Sequence, residues 1–407
     1  MFIRKEEFTL TNTRHHPICS PVKVTWRPDD HVGTITHKGE SLSKVIRKRG
    51  QRVEIGLHYL KFPYKLCQTI NDLLYSIASL PRTEKRKKMN LAIQIFKHFE
   101  KVPESFDLKK MEMFWRGIII MVWRWEDSHE EIYKGIPYYL LARTYLGFGD
   151  IPSAYMCFFT ALEEDKKNCS YIQENFRDRP AYLTTSLVDD DGNPLYRSVV
   201  LSLRSELQGF INSYNKRTSS DFTIQDLDKK FLQADPLEDA KRFFVANFHE
   251  ISHLRWLNFS RMMKNDYSKL KTADTLFNIA LIIDQVLEYR FLKNRGKMDK
   301  NMANAIYHLA LHLGWTTTKN SPDVSTFLKK IEPNLNRGSP DTIIPTLLDG
   351  TATYDGDPLN ARMRAIFAAY HLRNYGGHNI RGSDILINRY GEILDAVMDA
   401  FFVSIQA

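Results

Sequence analysis

An arginine, an asparagine and a histidine lie within six residues of one another near the C-terminus: Arg373, Asn374 and His378. Histidine has the side-chain pKa closest to neutrality, so it can donate or accept a proton at physiological pH. Arginine offers a planar fork of donors that matches a phosphate group. Together these residue types suit the chemistry of a phosphodiester bond.

A helix must deliver this motif. Apolar residues recur at helical spacing just before it, at Met363, Ile366, Phe367 and Tyr370. The glycine pair at 376–377 then predicts a break or kink, because glycine is unfavourable inside helices and common just past their ends. In an unbroken helix, side chains five positions apart point in different directions, so the break would let the histidine swing back toward the arginine.

The run from 373 to 378 resembles the R-x(4-6)-H signature of HEPN domains, in the common form that begins Arg-Asn. The resemblance implies a small helical bundle with the motif near its last helices, and metal-independent RNA cleavage in active members. It implies that His378 acts as acid or base, Arg373 holds the scissile phosphate and Asn374 supports it. HEPN domains resemble one another in having a long first helix and the motif near the last pair of helices. A long helix predicted over 272–289 matches this order, so the resemblance covers roughly the last third of the chain. The alternative is an arginine that caps helix carbonyls beside a surface histidine.

A second motif, His249-Glu250-Ile-Ser-His253, places two histidines one helical turn apart. It resembles zinc-dependent metallopeptidases, in which the histidines bind zinc and the glutamate activates a water. The histidines fall at the polar edge of the predicted apolar face, and Arg255 stands where such peptidases keep an apolar residue. Glu288 is the nearest plausible third ligand, in what the pattern predicts to be the next domain. We therefore expect a histidine pair at the solvent edge, with no metal and no cofactor.

A helical pair is predicted from Tyr138 to Lys166, with Gly149-Asp150 at the turn. Its large and small residues resemble a tetratricopeptide repeat at nearly every signature position, although Lys166 replaces the usual proline. One clean copy is too few, because such arrays need about three stacked units. An ordinary helical hairpin is the alternative. A repeat would imply a scaffold for a protein partner or for self-association.

Composition and patterning predict a mainly α protein with three parts. Residues 1–60 form an N-terminal cap, where alternation at 21–26 and 32–36 predicts a small β hairpin or an irregular cap. Residues 61–265 form the α-helical, tetratricopeptide-like region, and residues 268–407 form the HEPN-like bundle. Within the bundle, residues 336–357 are predicted to be rich in loops, because most of the local Gly, Pro and Asp lies there.

The net charge of +9 favours a polyanionic partner such as RNA. When a basic surface binds nucleic acid, counterions are released, and this release favours binding. The chain has no long apolar run and no signal-peptide pattern at its start, so we expect a cytoplasmic protein without a membrane contact. The four cysteines are scattered without a C-x-x-C spacing, so the sequence indicates neither a zinc knuckle nor a disulfide framework.

Three functions remain open on this evidence. The first is an endoribonuclease that leaves a 2′,3′-cyclic phosphate and works as a homodimer, since two histidines are needed and each chain supplies one. The second is a helical module without activity that binds other proteins. The third is the zinc peptidase. In architecture, a helical-repeat region joined to a HEPN domain resembles prokaryotic defence and toxin systems.

Overall fold

A computed structural model describes most of the chain after residue 71 and the backbone of four short strands before residue 55. The described ranges are 72–77, 79–100, 106–126, 131–189, 194–234, 236–256, 266–296, 299–376 and 384–407. The described residues are mainly α-helical, which confirms the mainly α part of the predicted fold class. Contacts divide the chain into two compact units, Met1–Thr184 and Thr185–Ala407. The domain limits predicted at 60 and at 265–268 stay predictions.

The four N-terminal strands form two antiparallel pairs. They are β1 (Lys23–Val24), β2 (Val32–His37), β3 (Glu40–Ile46) and β4 (Val53–Glu54). β2 pairs with β3, and β1 pairs with β4. A hairpin is therefore present in the predicted region, but the pairing predicted between 21–26 and 32–36 was wrong. Only two residues, one of them glycine, separate β2 from β3, and so short a connection favours a hairpin.

The described part of the first unit contains four long helices: α1 (Lys85–Phe99), α2 (Leu108–Glu126), α3 (Gly135–Phe148) and α4 (Ile151–Ile172). A short helix, α5 (Pro180–Thr185), follows. α3 packs along α4, which confirms the predicted helical pair. Gly149 ends α3 in the left-handed conformation at φ 74°, and the Asp150 carboxylate accepts a hydrogen bond from the Ser153 amide at 3.2 Å. The predicted Gly-Asp turn is thus confirmed as a C-cap followed by an N-cap.

The second unit begins with three helical segments and continues with the helices of the predicted bundle. The first three are α6 (Pro194–Thr218), α7 (Ile224–Leu227), which runs into a π-helical turn at Asp228–Leu232, and α8 (Glu238–Trp256). The others are α9 (Asp266–Leu292), α10 (Met302–His312), α11 (Val324–Lys329), α12 (Pro340–Leu348), α13 (Ala361–Gly376), α14 (Ile385–Asn388) and α15 (Tyr390–Gln406). None of the described helices is long and apolar enough to cross a bilayer.

The region predicted to be rich in loops is more ordered than expected. It contains α12 and part of a small antiparallel sheet. The three strands of this sheet are β5 (Ile331–Glu332), β6 (Thr353–Tyr354) and β7 (Asp357–Pro358), in the order β5-β6-β7. Strands of two residues are too short to show an alternating pattern, which explains why the sequence did not predict them. α12 begins with Pro340, a residue suited to the first helical turn, and Pro345 inside it made the segment look like a loop.

The core of the second unit is built around α9, α13 and α15, which pack pairwise against one another. α15 also contacts α6. Phe401 of α15 stacks on Phe244 of α8, with ring centroids 4.1 Å apart. Two of the three central helices, α9 and α13, carry the residues of the candidate site.

Candidate functional site

Arg373 and Asn374 lie in the last turns of α13, so a helix delivers these two motif residues as predicted. The helix is described through Gly376. Gly377 and His378 lie outside the described residues. The candidate site is therefore built from Arg373, Asn374 and the residues around them.

Arg373 is held by a carboxylate from a neighbouring helix. Its Nε donates to Oδ2 of Asp284, on α9, at 2.9 Å. The Asp284 side chain is only 8% exposed, whereas the Arg373 side chain is 38% exposed. Arg373 Nη1 also lies 3.4 Å from Oδ1 of Asn374, a long hydrogen bond. The contact with Asp284 fixes the guanidinium at Nε.

Asp284 has an unusual electrostatic environment. Burial raises the pKa of this carboxyl to about 6, while Arg373 lowers it and Glu288 raises it. Its second oxygen, Oδ1, is buried and has no hydrogen-bond partner among the residues that the structure describes. Burying a carboxylate without full compensation favours the neutral form. Burial therefore disfavours the charged form of Asp284, and Arg373 is the residue that chiefly stabilises it.

The geometry suits recognition of an anion. Within the described residues, Nη2 of Arg373 donates no hydrogen bond. A guanidinium fixed at one nitrogen loses less conformational freedom when a phosphate binds its remaining donors. The carboxylamide of Asn374 lies beside it and could support such a ligand. The alternative in which Arg373 caps helix carbonyls is not favoured, since its described contacts go to a carboxylate and an amide.

Two further polar residues of α13 precede the motif. The Tyr370 hydroxyl donates to Oδ1 of Asn336 at 2.9 Å. His371 is buried, and its Nδ1 lies 3.0 Å from the carbonyl oxygen of Leu335. Burial lowers the pKa of His371, so the neutral form is favoured. Both side chains thus attach the motif helix to the segment before α12.

Sequence analysis missed Asp284, although one signal could have found it. The acid occurs within the apolar run Ile282-Ile283-Asp284-Gln285-Val286-Leu287, on a helix whose neighbouring positions are buried. A buried carboxylate is seldom found without a partner. An acid in this position therefore indicates a cation on a facing helix, but the sequence does not say which one.

The second motif lies on α8, and its histidines are one turn apart as predicted. Glu250 forms an ion pair with Lys271 of α9, so the proposed general base already has a cationic partner. Burial, with a smaller contribution from His253, lowers the pKa of His249 to about 4. Over the ranges the structure describes, no group of three His, Cys, Asp or Glu side chains could hold a metal ion, and Glu288 does not join the histidines.

Comparison with known proteins adds no relative: no family model, no curated protein and no solved structure matches the chain. The resemblances to HEPN domains and to the tetratricopeptide repeat thus rest on the residues quoted above. The described geometry around Arg373 stands independently of them.

Proposed function

We propose that the protein is a metal-independent endoribonuclease. The observation that carries this proposal is the half-exposed Arg373, fixed at Nε by the buried carboxylate of Asp284 and flanked by Asn374. An arginine held in this way is suited to bind a phosphodiester and to stabilise the charge that develops on it. His378 follows five residues later and supplies the proton chemistry.

The proposed reaction uses the ribose 2′-hydroxyl as nucleophile. One histidine removes the proton from the 2′-oxygen, which attacks phosphorus, and a second histidine donates a proton to the departing 5′-oxygen. The bond between phosphorus and the 5′-oxygen breaks. The products are a 2′,3′-cyclic phosphate and a 5′-hydroxyl, so neither water nor a metal ion is consumed in this step.

This reaction needs two histidines, and the motif contains one. We therefore propose that two copies of the chain meet so that their motifs face a common phosphate. RNA is the proposed substrate, and the net charge of +9 supports attraction of a polyanion. The helical pair α3–α4 is proposed to contact a protein partner or a second copy. A setting in prokaryotic defence or a toxin system is proposed by analogy of architecture.

The test is incubation of the purified protein with total RNA in EDTA. We expect cleavage by the wild-type chain and a loss of about 100-fold or more for His378→Ala, the usual size of a general acid-base contribution. Arg373→Ala should lose activity to a similar extent because the phosphate loses its cation. The 3′ ends of the products should accept a label only after an enzyme has removed the 2′,3′-cyclic phosphate.

Arg204→Ala is the matched control. Arg204 also belongs to the second unit and forms an ion pair with a carboxylate, Asp228, at 2.7–2.8 Å. This control should lose stability and keep cleavage. Equal loss in Arg204→Ala and Arg373→Ala would mean that stability, not phosphate binding, explains the result. RNA that stays intact with folded wild-type protein would favour a non-catalytic module, and one tightly bound zinc per chain would favour the peptidase.

A further inference from the structure

A groove of about 220 Å³ lies among α6, α12, α13 and α15 of the second unit. Four alanines, two leucines, two arginines and three carboxylates line it. None of these residues belongs to the motif that ends α13. The groove is therefore separate from the candidate site around Arg373.

Alanine side chains form the apolar surface of the groove. Ala361, Ala365 and Ala368 recur at helical spacing along α13, and Ala396 lies on α15. Residues at this spacing share one face of a helix. Because alanine has no atom beyond Cβ, the surface leaves room between the two helices for a narrow carbon chain.

Most of the charges that line the groove are matched. Arg217 holds the buried Asp399 through two hydrogen bonds, both 2.7 Å long. Glu392 accepts a hydrogen bond from Nε of Arg389 at 3.0 Å. These contacts pair three of the charged side chains that line the groove, Arg217, Asp399 and Glu392. The two that remain are Arg364 and Asp395.

Arg364 is the unmatched cation. Its Nη1 donates to the carbonyl oxygen of Leu359 at 3.2 Å. The guanidinium also lies against Gly350, where an added Cβ would come within 2.8 Å of Nη1. Within the described residues Arg364 forms no ion pair with a carboxylate. The guanidinium is thus held in place by neutral groups and keeps its charge for another partner.

Asp395 is the anion with the weakest pairing. Its ion-pair contact among the described residues is with Nη1 of Arg217, at 3.5 Å. That arginine is already committed to Asp399 through its other two nitrogens. Burial raises the pKa of Asp395, as expected for a carboxylate whose charge is incompletely compensated.

We propose that this groove binds a small zwitterion of the amino-acid class. The carboxylate would lie on Arg364, the ammonium on Asp395 and the carbon chain on the alanines. Drug-sized ligands occupy pockets of about 300–1,000 Å³, so the smaller volume favours a molecule of this size over a nucleotide. This inference does not depend on the ribonuclease proposal, because binding can be measured without RNA.

The test is titration of the full-length protein by calorimetry and by thermal shift. The probes are the twenty L-amino acids, β-alanine, 4-aminobutyrate, 6-aminohexanoate and glycyl dipeptides, which vary the separation between the two charges. We expect at least one probe to bind saturably and to raise the Tm. Its N-acetylated and amidated forms should bind at least tenfold more weakly, because each loses one charge-assisted hydrogen-bonded contact.

Three variants should weaken binding, and one should not. Arg364→Gln should reduce affinity about tenfold or more, and Ala365→Leu should fill the groove and abolish binding. Arg362→Gln is the control, because Arg362 lies on the same helix and also donates to a neutral group, the Ser220 hydroxyl, at 2.6 Å. Circular dichroism checks that each variant is folded, and Asp395→Asn is the second test of the charged pair.

Three outcomes would overturn the proposal. The first is the absence of saturable binding by every probe. The second is unchanged affinity in both folded charge variants, Arg364→Gln and Asp395→Asn. The third is equal binding of the parent probe and its two blocked forms, which would leave a groove that does not recognise a zwitterion.

Discussion

Asp284, which is buried, and His249, which is half-buried, should give opposite pH dependences of stability. The folded pKa of Asp284 is raised to about 6, so between about pH 4 and pH 6 the folded protein binds more protons at this site than the unfolded chain. Its contribution to stability therefore falls as pH rises through that window. The folded pKa of His249 is lowered to about 4, so its contribution falls as pH drops from about 6.5 toward 4.

Asp284→Asn should become more stable relative to wild type as pH rises from 4.5 to 7.5, because the variant has no carboxyl to ionise. The expected change over this range is roughly 2 kcal/mol, because the raised pKa of about 6 already includes the effect of Arg373. Tm measured against pH for both proteins checks it. A constant difference at every pH would contradict the assigned shift. Under the ribonuclease proposal, the same variant should lose activity because Arg373 is no longer held.

His249→Gln should show the opposite trend. At low pH the His249 imidazole of the wild-type protein becomes protonated in a site where burial disfavours the charge, and this destabilises the fold. The glutamine of the variant gains no charge. The Tm difference should therefore shift in favour of the variant as pH falls from 7 to 4.5. If the difference shifts in favour of wild type instead, His249 is stabilised in its charged form and burial does not control its pKa.

At the scale of elements, glycines of the two units should respond oppositely to the same substitution. Gly149→Ala places a Cβ in the left-handed conformation at φ 74°, which should cost about 1 kcal/mol or more. Gly209→Ala lies at an exposed position inside α6, where nothing lies within 4 Å of the added Cβ, and should stabilise by about 0.5–1 kcal/mol. Denaturant unfolding of both variants measures the two changes. A change in the free energy of unfolding with the same sign in both variants would contradict this prediction.

The sequence predicted long helices better than short elements and contacts. Helical periodicity and the Gly-Asp turn were enough to predict α3 and α4, because both are local signals. The three-stranded sheet was missed because two-residue strands carry no period. Asp284 was missed as a partner because it lies 89 positions before Arg373, and only packing of the two helices brings them into contact. The groove also depends on four helices from distant parts of the chain, so no local pattern could reveal it.

At the scale of the whole molecule, the ribonuclease proposal requires two chains for each active site. The activity per chain should therefore fall on dilution below the dissociation constant of the dimer, and it should recover on concentration. Sedimentation velocity over the same concentrations measures the dimer directly. A monomer that cleaves RNA at an undiminished rate would contradict a shared site.

The position of α15 at the centre of its unit affects how the protein is synthesised. Its residue Phe401 packs against Phe231 and Phe244, and the Tyr214 hydroxyl donates to Gln406 at 2.7 Å. Because α15 follows the other described helices of its unit in the sequence, those helices cannot complete their core during translation, at about 5–20 residues per second, until α15 has emerged. For a protein proposed to cut RNA, that delay would keep the nascent chain harmless to the ribosome that makes it.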